Sequence, residues 1–245
     1  MSSLPEFEHL CVVLVATRNP LNIGAAARAM SNFGFSSLRL VNPYEPSFRE
    51  ARSAVGAATL LASAAEFKSL AEAVADCSLI VGTTALHNRE VHHSVHHLPS
   101  AAPIICDHLP KGRVALLFGS EKTGLSNDDL SHCHWLLHIP AQEQHLSMNL
   151  GQAVAVCLYE LARSAAAQKA QPPAADQPIL ATAGEFDRLT ALWLEVLCAI
   201  GYVNPEANAV TEEKLRRMLR RSKLSADDAE VWMGILRQVL WKLNH

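Results

Sequence analysis

The chain is predicted to fold as an α/β domain, a parallel sheet with helices on both faces, followed by a small all-helical extension. Three observations predict this. Short apolar, β-branched runs alternate with helical patterns from residue 9 to about 163. A proline-bearing stretch without hydrophobic period then interrupts the alternation. Beyond it the apolar residues follow three-four spacing alone.

In chain order, CVVLVAT (11–17) reads as a buried strand, and the alanine-rich LNIGAAARAMSNFG as a helix stopped at Gly34. LRLVNP is a strand closed by Pro43. FKSLAEAVADC carries helical spacing, and SLIVGTTA (78–85) is again a strand. RVALLFG and WLLHIP are two further strands separated by a short helix, LSNDDLSHC. MNLGQAVAVCLYELARSA is a long apolar helix. The stretch AAAQKAQPPAADQP (165–178) reads as linker or as the frayed end of that helix. The expected division is a core over 1–163, a linker over 164–180 and a helical extension over 181–245. In the extension Phe186, Leu189, Trp193, Val196, Leu197 and Ile200 share a face, with Gly201 as stop. Thr211 and Ser225 are candidate N-caps, and Trp232, Ile235, Leu236, Val239, Leu240 and Leu243 line the last helix.

With 245 residues and 49% hydrophobic content, the chain can bury one good core and a small appendage. The start, MSSLPEFEHL, is too polar for a signal peptide, and no apolar run is long enough for a membrane helix, so a cytoplasmic protein is expected. The six cysteines are scattered without a CxxC pair, which argues against a disulfide framework or a cysteine zinc site. His92, His93, His96 and His97 pair at i,i+4 spacing, but no acidic residue completes a zinc motif, so no metal is expected. The formal charge of -3 hides a local cluster: TEEKLRRMLRRSK (211–223) holds Lys214, Arg216, Arg217, Arg220, Arg221 and Lys223. Such a cluster can neutralise several phosphates of a nucleic acid.

Three segments combine a strand end, a glycine and polar residues: NIGAAAR (22–28), FGSEKTGL (118–125) and IPAQEQHLSMNLG (139–151). In an open parallel sheet, ligands bind outside the carboxyl ends of strands, which makes these segments site candidates. Common nucleotide motifs are missing. The first strand is not followed by GxGxxG, GSEKTG is not in P-loop order, and no GxSxG elbow occurs. Taken singly, each glycine reads as a turn or packing residue and Arg28 as a solvated helix residue; the weight comes from the ordered set.

That set resembles the SpoU, or TrmH-like, branch of the SPOUT methyltransferases: an asparagine-glycine-arginine helix start, an FGxExxGL turn and an IP…SxN segment. Met148 stands where leucine is usual. The resemblance implies a trefoil knot in the C-terminal half of the core, a feature general topology rules would never propose. It implies S-adenosylmethionine as cofactor, held by Thr83, Thr84, Ala85, Gly119, Ile139, Leu146, Ser147 and Met148, with Glu121 at the mouth. It also implies a homodimer whose sites are completed by the partner chain. The implied reaction is attack of a ribose 2′ oxygen on the sulfonium methyl group, in tRNA, at cytidine or uridine 32 of the anticodon loop. A ribosomal RNA target and a non-catalytic, knotted RNA-binding module are the alternatives. Arg28 matches the family's catalytic arginine. Arginine is a poor general base, so its expected role is to clamp a phosphate and stabilise the developing alkoxide. Asn22 is expected to cap the helix presenting Arg28, Asn149 to shape the third motif, and Ser147 to orient the ribose. Asn22, Ser147 and Asn149 are thus candidates for the catalytic group.

Overall fold

The computed structural model describes residues 5–43, 54–85, 93–142, 148–168, 179–203 and 208–244. A short 3-10 turn, Pro5–His9, leads into β1 (Leu10–Val15). The core continues through α1 (Pro20–Phe33), β2 (Ser37–Val41), α2 (Ala58–Ala62), β3 (Ala65–Phe67), α3 (Leu70–Val74) and β4 (Cys77–Thr84). There follow β5 (Val95–His97), α4 (Leu98–His108), β6 (Arg113–Phe118), α5 (Asn127–Ser131), β7 (Trp135–His138) and α6 (Leu150–Gln168). The strands form one sheet in the order β3-β2-β1-β6-β4-β7-β5, with parallel pairing throughout.

Strands buried on both faces carry near-continuous apolar runs, which is why β1, β4 and β6 are legible as sequence. The period of two divides each strand between two cores. Leu10, Val12 and Leu14 pack with α1, α4 and α6, whereas Cys11, Val13 and Val15 pack on the α3 side. Each fully buried leucine in these layers contributes about 2 kcal/mol. Helix α1 starts at Asn19, whose side chain accepts from the Leu21 N–H at 3.0 Å, with Pro20 at the first helical position. It ends as expected at Gly34, left-handed at φ 80°, where Phe35 N–H returns to the Met30 carbonyl at 3.0 Å. Helices α1 and α6 approach closely at Gly151, where a Cβ would lie 2.6 Å from that of Ala25.

Four core elements escaped the sequence reading. The strands β3 and β5 are three residues long, too short for a period. Helix α2 has five residues, and α4 carries Pro99 in its first turn and Pro103 within, which mask a helical pattern. The histidine stretch is partly strand: His96 and His97 lie on β5, where helical i,i+4 pairing does not arise. His92 lies outside the described residues.

The extension comprises α7 (Ala183–Ala199), α8 (Asn208–Arg221) and α9 (Ala226–Leu243). Phe186, Leu189, Val196, Leu219, Met233 and Leu236 give it its own small core. Ser225 caps α9, accepting from Asp228 N–H at 3.0 Å, and Gly201 adopts φ 73° after α7. Thr211 is not a cap, because α8 already begins at Asn208. Helix α6 runs on to Gln168, past the expected start of the linker at 164; residues 169–178 lie outside the described residues. The first turn of α7 docks on the sheet layer: Gly184 N–H donates to the Ala75 carbonyl at 2.8 Å, and Ala183 joins the α3-side core. Among the described residues no helix is long and apolar enough to cross a membrane.

Candidate active site

A cleft of about 490 Å³ opens outside the carboxyl ends of β4, β6 and β7, where parallel sheets present ligands. Its apolar floor includes Phe118, Leu125, Ile139, Leu150 and Ala153, and its rim carries Glu121, Lys122 and Met148. Thr83, Thr84, Ala85, Gly119, Glu121, Ile139 and Met148, all expected at a cofactor site, line this one cleft. Leu146 and Ser147 lie outside the described residues.

The strand ends are held rigidly. The Thr83 hydroxyl donates to the Leu117 carbonyl at 2.8 Å, so it braces β4 against β6. His138 Nδ1 lies 3.1 Å from the Thr84 carbonyl, tying β7 to β4. His138 also lines the cleft; it stood within the predicted strand WLLHIP, but nothing in its spacing marked it. The turn after β6 folds back on itself, with Gly124 N–H donating to the Ser120 carbonyl at 2.9 Å. A Cβ on Gly119 would overlap the backbone of Gly124 and Leu125. The glycine is required by the turn's own closure before any ligand arrives.

The three sequence motifs meet beside this cleft through one hydrogen-bonded chain. Asn149 Nδ2 donates to Asn22 Oδ1 at 3.1 Å, and Asn22 Nδ2 donates to Glu121 Oε1 at 2.7 Å. Glu121 Oε2 accepts from Arg18 N–H at 3.4 Å. Burial alone would raise the Glu121 pKa; the donors from Asn22 and from the backbone of Glu121, Arg18 and Asn19 outweigh it and hold the carboxyl below its ordinary value. Asn22 is therefore not the cap of α1. Asn19 has that role, and the Asn22 side chain is free to bridge the other two motifs. Asn149 does cap: its Oδ1 accepts from Gly151 N–H at 2.9 Å at the start of α6.

Arg28 stands exposed on α1 and does not line the cleft of its own chain. The basic cluster of α8 divides in two. Arg220 is 1% exposed, pairs with Asp187 at 2.9 Å and lies over the Phe186 ring. Arg216 donates to Ser131 Oγ at 2.8 Å and pairs with Glu212 at 2.7 Å and Asp128 at 3.4 Å. These two hold the extension together and onto the core, which corrects the expectation that all six face a phosphate. Lys214, Arg221 and Lys223 are exposed and Arg217 is half-buried.

The description "SpoU rRNA Methylase family" matches residues 9–159. The chain is 34% identical over 241 residues to the tRNA (cytidine/uridine/adenosine-2′-O-)-methyltransferase TrmJ of Pseudomonas aeruginosa (strain UCBPP-PA14), covering 94% of this chain and 93% of that one. It is 33% identical to the tRNA (cytidine/uridine-2′-O-)-methyltransferase TrmJ of Klebsiella pneumoniae (subsp. pneumoniae, strain ATCC 700721 / MGH 78578), covering 95% and 96%. The crystal structure of TrmJ from Z. mobilis ZM4 superposes with a TM-score of 0.81 at 31% identity, over 94% of this chain and 98% of that one. With its motifs gathered at one cleft and likeness running the length of the chain, this protein belongs to the SpoU rRNA methylase family.

Proposed function

We propose that the protein transfers the methyl group of S-adenosylmethionine to a ribose 2′ oxygen of tRNA, at cytidine or uridine 32 of the anticodon loop. The observation that carries the reading is the Asn149–Asn22–Glu121 chain, which binds the three motifs into one mouth beside the cleft. The cleft suits the cofactor. Its apolar floor fits an adenine ring, and its strand ends offer backbone donors and acceptors. When bound, S-adenosylmethionine supplies an electrophilic methyl group on a sulfonium sulfur. Thr83, Thr84, Ala85, Ile139 and Met148 would hold it, joined by Leu146 and Ser147. The chain's own part is proximity, orientation and charge. Arg28 clamps the phosphate beside the target ribose and stabilises the oxygen as it develops negative charge.

Because Arg28 stands off the cleft of its own chain, the reading includes a homodimer in which the partner completes each site. It also includes a trefoil knot in the C-terminal half of the core. The working place is the cytoplasm, with its tRNA pool. Lys214, Arg217, Arg221 and Lys223 would grip the RNA backbone.

The test is transfer from radiolabelled S-adenosylmethionine to unmodified tRNA by wild type and Arg28→Ala, followed by nucleoside analysis. The expected product is 2′-O-methylcytidine or 2′-O-methyluridine, lost in the variant. Label in a methylated base, or in ribosomal RNA only, overturns the reading. Cofactor binding without transfer to any RNA points to a binding module.

A further inference from the structure

Across the Gly119–Gly124 turn from the cofactor cleft lies a second hollow, of about 560 Å³. Ser120, Thr123 and Gly124 form a wall common to both. It sits outside the carboxyl ends of β1 and β2, with Lys68 and Ala71 from the α3 side, His132 from behind α5 and Arg216 from the extension. Its volume falls in the range of small-molecule sites, roughly 300–1,000 Å³.

The backbone is bent to open it. Ala16 and Asn42, at the ends of β1 and β2, have φ of 50° and 46°. Each still donates to the ladder, Ala16 N–H to Val41 at 2.9 Å and Asn42 N–H to Phe67 at 3.2 Å, and each then turns the chain aside. Holding a non-glycine residue there costs on the order of 1 kcal/mol or more, and such strain concentrates where ligands bind. His132 is 5% exposed, yet its Nδ1 is buried with no hydrogen-bond partner. Burial, with the Arg216 and Arg220 guanidiniums, pushes its pKa down to about 3, so the ring is neutral, one nitrogen carrying a proton and the other a lone pair. The carboxylates at the hollow are engaged: Asp128 pairs with Arg216, and Asp129 accepts from Ser126 at 2.8 Å. The Lys68 side chain stands exposed on the rim.

We propose that this hollow receives one nucleotide of the RNA substrate beside the methylated ribose, its base against His132 and its phosphate at Lys68. The proposal rests on the RNA methyl-transfer reading above. The walls suit a base: Val15, Val41 and Leu70 are apolar, while Asn42, Ser69 and His132 can read a polar edge. Single-stranded RNA is recognised in this way, by splayed bases seated in pockets. The shared wall sets the hollow directly beside the cofactor cleft, where a nucleotide flanking the methylated ribose would lie.

The experiment compares wild type, Ala71→Trp and Lys68→Ala, all full-length, in tRNA methylation and equilibrium tRNA binding. S-adenosylmethionine affinity by calorimetry is the control for folding. Ala71→Trp fills the hollow, and Lys68→Ala removes the rim charge. Each is expected to raise KM and Kd for tRNA about tenfold, with kcat within twofold and cofactor affinity unchanged. If wild type methylates tRNA and both blocking variants match it, the second cleft is not a nucleotide site, and the methyl-transfer reading stands. If wild type neither binds nor methylates any RNA, both readings fall together.

Discussion

Asn22 connects two motifs through both ends of one amide. Its Oδ1 receives Asn149 and its Nδ2 reaches Glu121. Asn22→Ala is expected to lower methyl transfer at least tenfold while changing stability by about 1 kcal/mol; turnover and thermal melting measure both. Asn22→Asp should fare worse than alanine. It sets a second carboxylate against Glu121, where a donor now stands at 2.7 Å. Arg28→Lys is expected to lose most activity although the charge is kept, because lysine lacks the planar fork that grips a phosphate at two points. Wild-type turnover in that variant would remove the phosphate-clamp role.

The turn from Gly119 to Gly124 contains two glycines with different reasons. Gly119→Ala drives a Cβ into the backbone of Gly124 and Leu125, whereas Gly124, at φ 67°, has nothing within 4 Å of an added Cβ. The first substitution should abolish cofactor binding in calorimetry. The second should cost only the backbone strain, about 1 kcal/mol, and leave binding measurable.

Helix α8 shows the same division by face. Arg220 is buried against Asp187 at 2.9 Å, so Arg220→Ala strands a partly buried carboxylate. A loss of about 3 kcal/mol is expected in urea unfolding, while Arg221→Ala, exposed, stays within about 0.5 kcal/mol. The salt dependence of tRNA binding separates the faces again. Removing Lys214 or Arg221 should reduce the slope of log Kd against log salt by about one. Removing Arg220 should act through folding instead.

The junction between core and extension is built around neutral histidines. His134 accepts the Ile80 N–H at 3.0 Å and meets the Phe186 ring edge-on, and burial holds its pKa well below the ordinary value. His132 is pushed down to about 3, by burial first and then by Arg216 and Arg220. At the end of α4, His108 is lowered to about 4 by burial, with Lys111 adding to it, and lies 2.7 Å from Ser78 Oγ. Unfolded, each ring would take a proton near pH 6.5. Between that pH and about 4 the unfolded chain binds protons that the folded chain refuses, so stability falls as pH falls through this window. Melting temperature should therefore drop from pH 7 to pH 5, and less steeply in His108→Gln; a flat profile would contradict the burial of these rings.

Much of this architecture is legible in the amino-acid sequence. The strands β1, β2, β4, β6 and β7 were legible because a parallel strand covered on both faces must be apolar along its length. Gly34, Gly201 and Ser225 were legible because helix ends are chemically local. The candidate site was legible as three ordered motifs, which meet beside one cleft. Elements without a period, β3, β5 and the proline-bearing α4, were not. The choice between Asn19 and Asn22 as cap was also hidden, since both can accept a backbone N–H and only the position of Glu121, far along the chain, draws Asn22 elsewhere. Arg216 and Arg220 belonged to a basic run like any other. Their partners Asp128 and Asp187 lie 88 and 33 residues away, and only the packing of α8 on the core and on α7 turned those two side chains inward. Local chemistry is written in neighbouring residues, whereas burial and hydrogen-bond partnership depend on surfaces that meet after the chain has folded.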